Sequence, residues 1–105
     1  MPWFSVRYFS ECVLDDAEDL YEESILLIHA DDDARARTKG EAAARGANHS
    51  YANSTAEDVR WEFREVLDVK QLLDDEIHDG SEIYYAFLTR TQLESVRAAL
   101  APPAD

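Results

Sequence analysis

A chain of 105 residues has the length of one domain, and 46% hydrophobic residues with 10% aromatics suffice for a core. Its formal net charge is −13, from 23 acids against 10 bases; that opposes nucleic-acid binding, which rests on Lys and Arg neutralising phosphates, and equally an anionic membrane surface. Cys12 is the only cysteine, so no internal disulfide can form and a secreted, disulfide-stapled fold is excluded.

In chain order, residues 3–14 (WFSVRYFSECVL) read as a first strand. Phe4, Val6 and Tyr8 share one face and Trp3 and Phe9 the other, so the strand is expected to be covered on both sides. An acidic loop, 15–21, leads to a second strand at 22–30, centred on the apolar run Ile25-Leu26-Leu27-Ile28. Asp31-Asp32-Asp33 then stands where a helix N-cap belongs, with carboxylates near the positive end of the helix dipole. The helix is expected from about Asp33 to Arg45, ending at Gly46 as a left-handed stop. Its buried face reads as Ala34, Thr38, Ala42 and Ala43, and Gly40 weakens its middle by about 1 kcal/mol relative to Ala.

Residues 48–58 are polar loop. From Val59 the chain alternates: Val59, Trp61, Phe63, Leu67 and Val69 point one way, and Arg60, Glu62, Arg64, Asp68 and Lys70 the other. Period-two alternation of this length predicts a half-buried strand, the third. Asp79-Gly80 is a turn signal, followed by Glu82–Thr89 (EIYYAFLT), apolar on both faces, expected to fold back as a fourth strand in a hairpin. Thr91-Gln92-Leu93-Glu94 matches a capping box and opens a second helix with Leu93, Val96 and Leu100 at helical spacing. Ala101-Pro102-Pro103 ends it.

The expected architecture is therefore one α+β domain over residues 1–101, with 102–105 a disordered tail. The order β-β-α-β-β-α would give one antiparallel four-stranded sheet with two helices packed on one face. Two short helices cannot cover both faces of four strands, so the second face predicts self-association, as a homodimer through the sheet. No signal peptide precedes the first strand, and the longest strongly apolar run is far short of a membrane span, so a cytoplasmic location is expected.

The segments WFSVRYF, YEESILLIHADDDARA, HSY-x-N, V-x-W-x-F-x-E-V-L-D-V and DG-x-E-x-Y follow one another in this order over residues 3–88. In that combination the chain resembles the bacterial domain-of-unknown-function family numbered 4288. The resemblance implies a small bacterial domain and transfers no catalytic residues. Residues 90–105 lie beyond it.

No G-x-S-x-G, H-E-x-x-H, P-loop or G-x-G-x-x-G occurs. His29 reads as a sheet-end histidine, His78 as an exposed loop residue and Cys12 as a buried structural thiol. Neither Asp31–Asp33 nor the group around Asp74–Asp79 has the spacing of a calcium loop, so no dedicated metal site and no cofactor are expected. The stretch offering ligand chemistry is His49, Ser50, Tyr51 and Asn53, whose imidazole, hydroxyls and amide lie near Trp61 and could line a small polar pocket. The alternative reading is turn chemistry, with Tyr51 as an anchor. On balance the sequence points away from an enzyme and towards a non-enzymatic, self-associating protein-binding module. An immunity or inhibitor-like protein covering a basic partner would fit. The alternative is a small-ligand-binding or enzymatic domain using the loop around His49–Asn53.

Overall fold

The computed structural model of the chain describes residues 1–13, 20–47, 49–52 and 58–102, with side chains described for all of these except 49–52, 58 and 59. The elements are β1 (Trp3–Val13), β2 (Tyr21–His29), α1 (Asp33–Gly46), β3 (His49–Ala52), β4 (Asp58–Gln71) and α2 (Arg90–Leu100). Every strand pairing is antiparallel and the order is β2-β1-β4-β3. Three long strands form the body of the sheet, and β3 adds four residues at one edge. β1 takes the centre because its even-numbered residues are those with a covered face to fill. Phe4 and Val6 are buried opposite Ile28 and Leu26 on one side and Gln71 and Val69 on the other.

Helix α1 covers that face. Asp32 accepts a hydrogen bond at Oδ1 from the Arg35 amide at 2.8 Å, satisfying one of the helix's orphan donors. The buried stripe is Ala36, Gly40 and Ala44, one residue per turn on a single line. The expected face of Ala34, Thr38, Ala42 and Ala43 is instead exposed. A Cβ placed on Gly40 would lie 2.7 Å from Cγ1 of Val6, which is fully buried. The absence of a side chain at Gly40 therefore lets helix and sheet touch. Phe4, Val6, Ala30 and Ala36 form one end of the core; Tyr8, Ala44 and Phe63 form the other, with the Arg45 guanidinium 4.8 Å from the Phe63 ring centroid. Each large side chain so buried contributes about 1.5–3 kcal/mol. The helix runs through Gly46 to a cap at Ala47, and Gly46 is not in the left-handed region expected of it.

Two register shifts interrupt the β1–β4 ladder, between Arg7 and Tyr8 and between Phe9 and Ser10. At each, β4 contributes one extra residue, Leu67 and then Arg64. A bulge changes which face the next side chain takes. Val66 as well as Val69 therefore packs on the core, and Leu67, expected inside, is 43% exposed.

The expected fourth strand and the expected helix arrangement are overturned. Glu82–Thr89 forms no strand. The Asp79-Gly80 turn does form, with Gly80 at φ +89° and the Ser81 amide donating to the His78 carbonyl at 2.9 Å. Beyond it, however, the chain crosses the sheet instead of pairing along β4. The Lys70 ammonium donates to the Tyr85 carbonyl at 2.8 Å, and Tyr84 and Tyr85 lie over the cations of Arg7 and Lys70. The two bulges break the regular ladder spacing along the stretch of β4 that a hairpin partner would need. The edge pairing falls to His49–Ala52, read from sequence as polar loop, which pairs with Asp58–Trp61.

Of the two helices only α1 packs on the sheet. Among the described residues α2 packs against none of the strands and not against α1, and no α2 residue is buried. Its capping box is formed by Thr89 and Gln92, two residues upstream of the expected Thr91–Glu94. The radius of gyration is 16.5 Å, against about 13 Å for a compact domain of this length. The tail from residue 103 lies outside the described residues.

Candidate functional site

The sheet face opposite α1 is where the described side chains leave most unsettled surface. It presents the odd-numbered residues of β1 and their neighbours in register: Trp3 beside His29, Ser5 between Leu27 and Lys70, Arg7 between Ile25 and Asp68, Phe9 between Glu23 and Glu65. These side chains face away from α1 because strand side chains alternate and Phe4, Val6 and Tyr8 are already committed to the core.

At one end of this face Trp3 and His29 stack, ring centroids 4.4 Å apart and planes within 7°. The His29 Nε2 is hydrogen-bonded to the Met1 carbonyl, and the Lys39 ammonium donates to the His29 carbonyl. His29 thus closes the strand end, as its place at the end of an apolar run predicts. An open depression of about 800 Å³ lies beside it, between Met1–Trp3 and Asp75–Ile77. A second, of about 550 Å³, lies at the start of α1 beside Asp31, Asp32 and Arg35. Asp32 there is the helix cap.

The middle is a charge lattice under aromatic rings. Arg7 Nη1 lies 3.8 Å from Glu23, and Lys70 Nζ lies 3.8 Å from Asp68. Above them, the Arg7 guanidinium is 5.4 Å from the Tyr84 ring centroid and the Lys70 ammonium 4.3 Å from that of Tyr85. Arg7 Nε is buried without a hydrogen-bond partner among the described residues. At the far end Phe9 and Tyr21 meet edge to face at 5.7 Å, and Arg64 donates to Glu11 at 2.8 Å and to Glu62 at 3.2 Å. Those hydrogen bonds, Glu11's first, raise the Arg64 pKa above its ordinary value and hold the guanidinium charged. These ion pairs are half-exposed and add little stability. Their effect is on surface charge, since three bases on this face are each held against a carboxylate and Glu65 adds a further one.

Apolar surface lies beside this lattice. Ile25 and Leu27 on β2 are 37% and 38% exposed, and Tyr21 continues the row. Along the crossing segment and α2, Ile83, Phe87, Leu88, Leu93, Val96 and Leu100 are all exposed, Phe87 at 92%.

The residues singled out from sequence are placed differently. β3 carries His49, Ser50 and Tyr51, with His49 in register with Trp61, Ser50 with Arg60 and Tyr51 with Val59. Trp61 is half-buried and pairs on its other side with Cys12 of β1. The side chains of His49–Tyr51, and Asn53 altogether, lie outside the described residues. The sheet pairing thus brings the backbone of His49 beside Trp61, while the second sheet face, expected from the sequence as the surface for self-association, was not read residue by residue as a site. The signal was present: Trp3 and Phe9 on the second face of β1, and Tyr84 and Leu88 with no sheet face of their own.

Among the described residues the hydrogen bonds match no nucleophile with a base. The His78 ring bonds the Asp79 carbonyl through Nδ1 at 2.8 Å and approaches Asp74 at 3.2 Å through Nε2. Cys12 is buried on the α1 side of the sheet. Among the described residues no three His, Cys, Asp or Glu side chains group closely enough to hold a metal ion. Among the described residues no helix is long and apolar enough to cross a membrane.

No curated protein and no solved structure matches the chain. A family model does match, over residues 3–85, a span that holds the whole sheet, α1 and the crossing of Tyr84 and Tyr85 over the open face, and stops short of α2. By that match the chain belongs to the family described as Domain of unknown function (DUF4288).

Proposed function

We propose that this chain is a non-enzymatic protein-binding module that self-associates through the face of its sheet opposite α1. The observation carrying the proposal is that α1 covers one face only, while Ile25 and Leu27 on the other face and Leu93, Val96 and Leu100 on α2 stay exposed within a single chain. A row of exposed apolar side chains rimmed by charges is the usual composition of a protein interface. A second copy is the occupant that offers such a row in the same stoichiometry. The acidic exterior suits a further, basic protein partner, whose encounter charge would accelerate. The net charge of −13 and the pairing of Arg7, Arg64 and Lys70 with carboxylates support this.

Sedimentation equilibrium of the purified chain tests the self-association directly. The expected result is a dimer at micromolar concentration that dissociates on dilution. A monomer throughout would sink the reading. The electrostatic arm is tested by measuring how association with a basic protein, such as a histone or lysozyme probe, changes with salt; indifference to salt counts against it.

A further inference from the structure

We infer that the dimer forms by reciprocal exchange, with α2 of each copy lying across the open sheet face of the other, over Ile25 and Leu27. The inference rests on the self-association proposed above and assigns its geometry.

Three observations carry it. First, α2 is a formed helix that, among the described residues, packs against none of the strands and not against α1. Thr89 and Gln92 close a capping box at its start, and Leu93, Val96 and Leu100 fall on one side. An isolated helix of 11 residues is marginal in water, so its stability must come from packing on something. Second, the dimensions agree. Eleven helical residues rise about 16 Å, the length of about five strand residues, which is the reach from Tyr21 to Ile25 or from Ile25 to His29. Third, the charges complement one another. α2 carries Arg90 and Arg97 against Glu94, a basic stretch in a chain of net −13, whereas β2 carries the exposed Glu23 on the same face as Ile25 and Leu27. Exchange also closes the assembly. Donating the same helix to the same face in both directions is self-complementary about a two-fold axis, so the assembly closes at two copies.

Variants of exposed residues test the exchange without disturbing the core. Leu93→Asp with Val96→Asp removes the helix side of the contact, and Ile25→Asp with Leu27→Asp removes the sheet side. Sedimentation velocity should show each double variant monomeric, with dimer affinity reduced by at least about 100-fold. An equimolar mixture of the two should regain a weaker heterodimer, because one intact helix then meets one intact face. In a Cys12→Ala background, Leu27→Cys with Leu93→Cys should give a disulfide between chains under mild oxidation. A dimer that survives Leu93→Asp/Val96→Asp overturns the exchange while leaving self-association standing, and edge pairing through β2 becomes its basis. A disulfide within one chain overturns the exchange in favour of α2 folding back. A monomeric native chain overturns both proposals.

Discussion

Helices α1 and α2 are of similar length, and each is capped by a side chain, Asp32 for α1 and Thr89 for α2. Yet α1 is buried along a stripe and α2 along none. The one with the weaker apolar side chains is the one that packs: α1 offers Ala36, Gly40 and Ala44, and α2 offers leucines and a valine. Small residues let α1 approach until Gly40 meets Val6, so the sheet face beneath it is filled by the strands' own large side chains. The larger side chains of α2 demand a surface with room between its residues, and in the proposed dimer Ile25 and Leu27, spaced along β2, are that surface. Which helix packs within the chain is thus decided by fit.

Breaking the packed half should cost the most. Phe4→Ala removes a ring that is 1% exposed, and urea unfolding should show a loss of about 3–5 kcal/mol. Next, Gly40→Ala should destabilise by about 1–2 kcal/mol despite a helix-propensity gain of about 1 kcal/mol, because Val6 is short, branched and unable to move aside. Pairing it with Val6→Ala should recover part of that loss, a non-additivity that a propensity effect alone would not produce. Asp32→Ala should cost about 1 kcal/mol of global stability. Thr89→Ala removes the equivalent cap from α2 and should lower helix content by circular dichroism while leaving the main unfolding midpoint in place. The smallest effect on stability is expected from Leu93→Ser, within about 0.5 kcal/mol in the monomer, with its consequence appearing in association alone. If Leu93→Ser instead unfolds the chain like Phe4→Ala, the contrast between the helices is wrong.

The packed half was largely legible in the sequence. Alternation located β4, apolar residues on both faces located β1, the apolar run Ile25–Ile28 located β2, and the aspartate triplet located the start of α1. What alternation could not convey was the two bulges: Glu65 sits at a position whose phase should be apolar, and that break is the trace of the shift that turns Val66 in and Leu67 out. The buried stripe of α1 was misread because alanines surround the helix, so hydrophobicity offers little contrast between faces; the close approach at Gly40 chooses the stripe. Glu82–Thr89 looked like a strand because its aromatic and branched residues favour pleated surfaces, but Tyr84 and Tyr85 settle over Arg7 and Lys70, which no local pattern encodes. β3 was overlooked for the opposite reason, since His49–Ala52 lies among turn-forming residues and gains its pairing from β4. The candidate site followed the same division. Single residues such as His49 drew attention by chemical type, whereas the open face is a property of how the strands are ordered.

Amide hydrogen exchange across residues 90–100, followed as a function of protein concentration, tests the central claim most directly. The account predicts that α2 exchanges rapidly in dilute solution and becomes protected, together with Ile25 and Leu27 on β2, as the dimer forms, while β1 stays protected throughout. An α2 equally protected at every concentration, or equally unprotected, would contradict it.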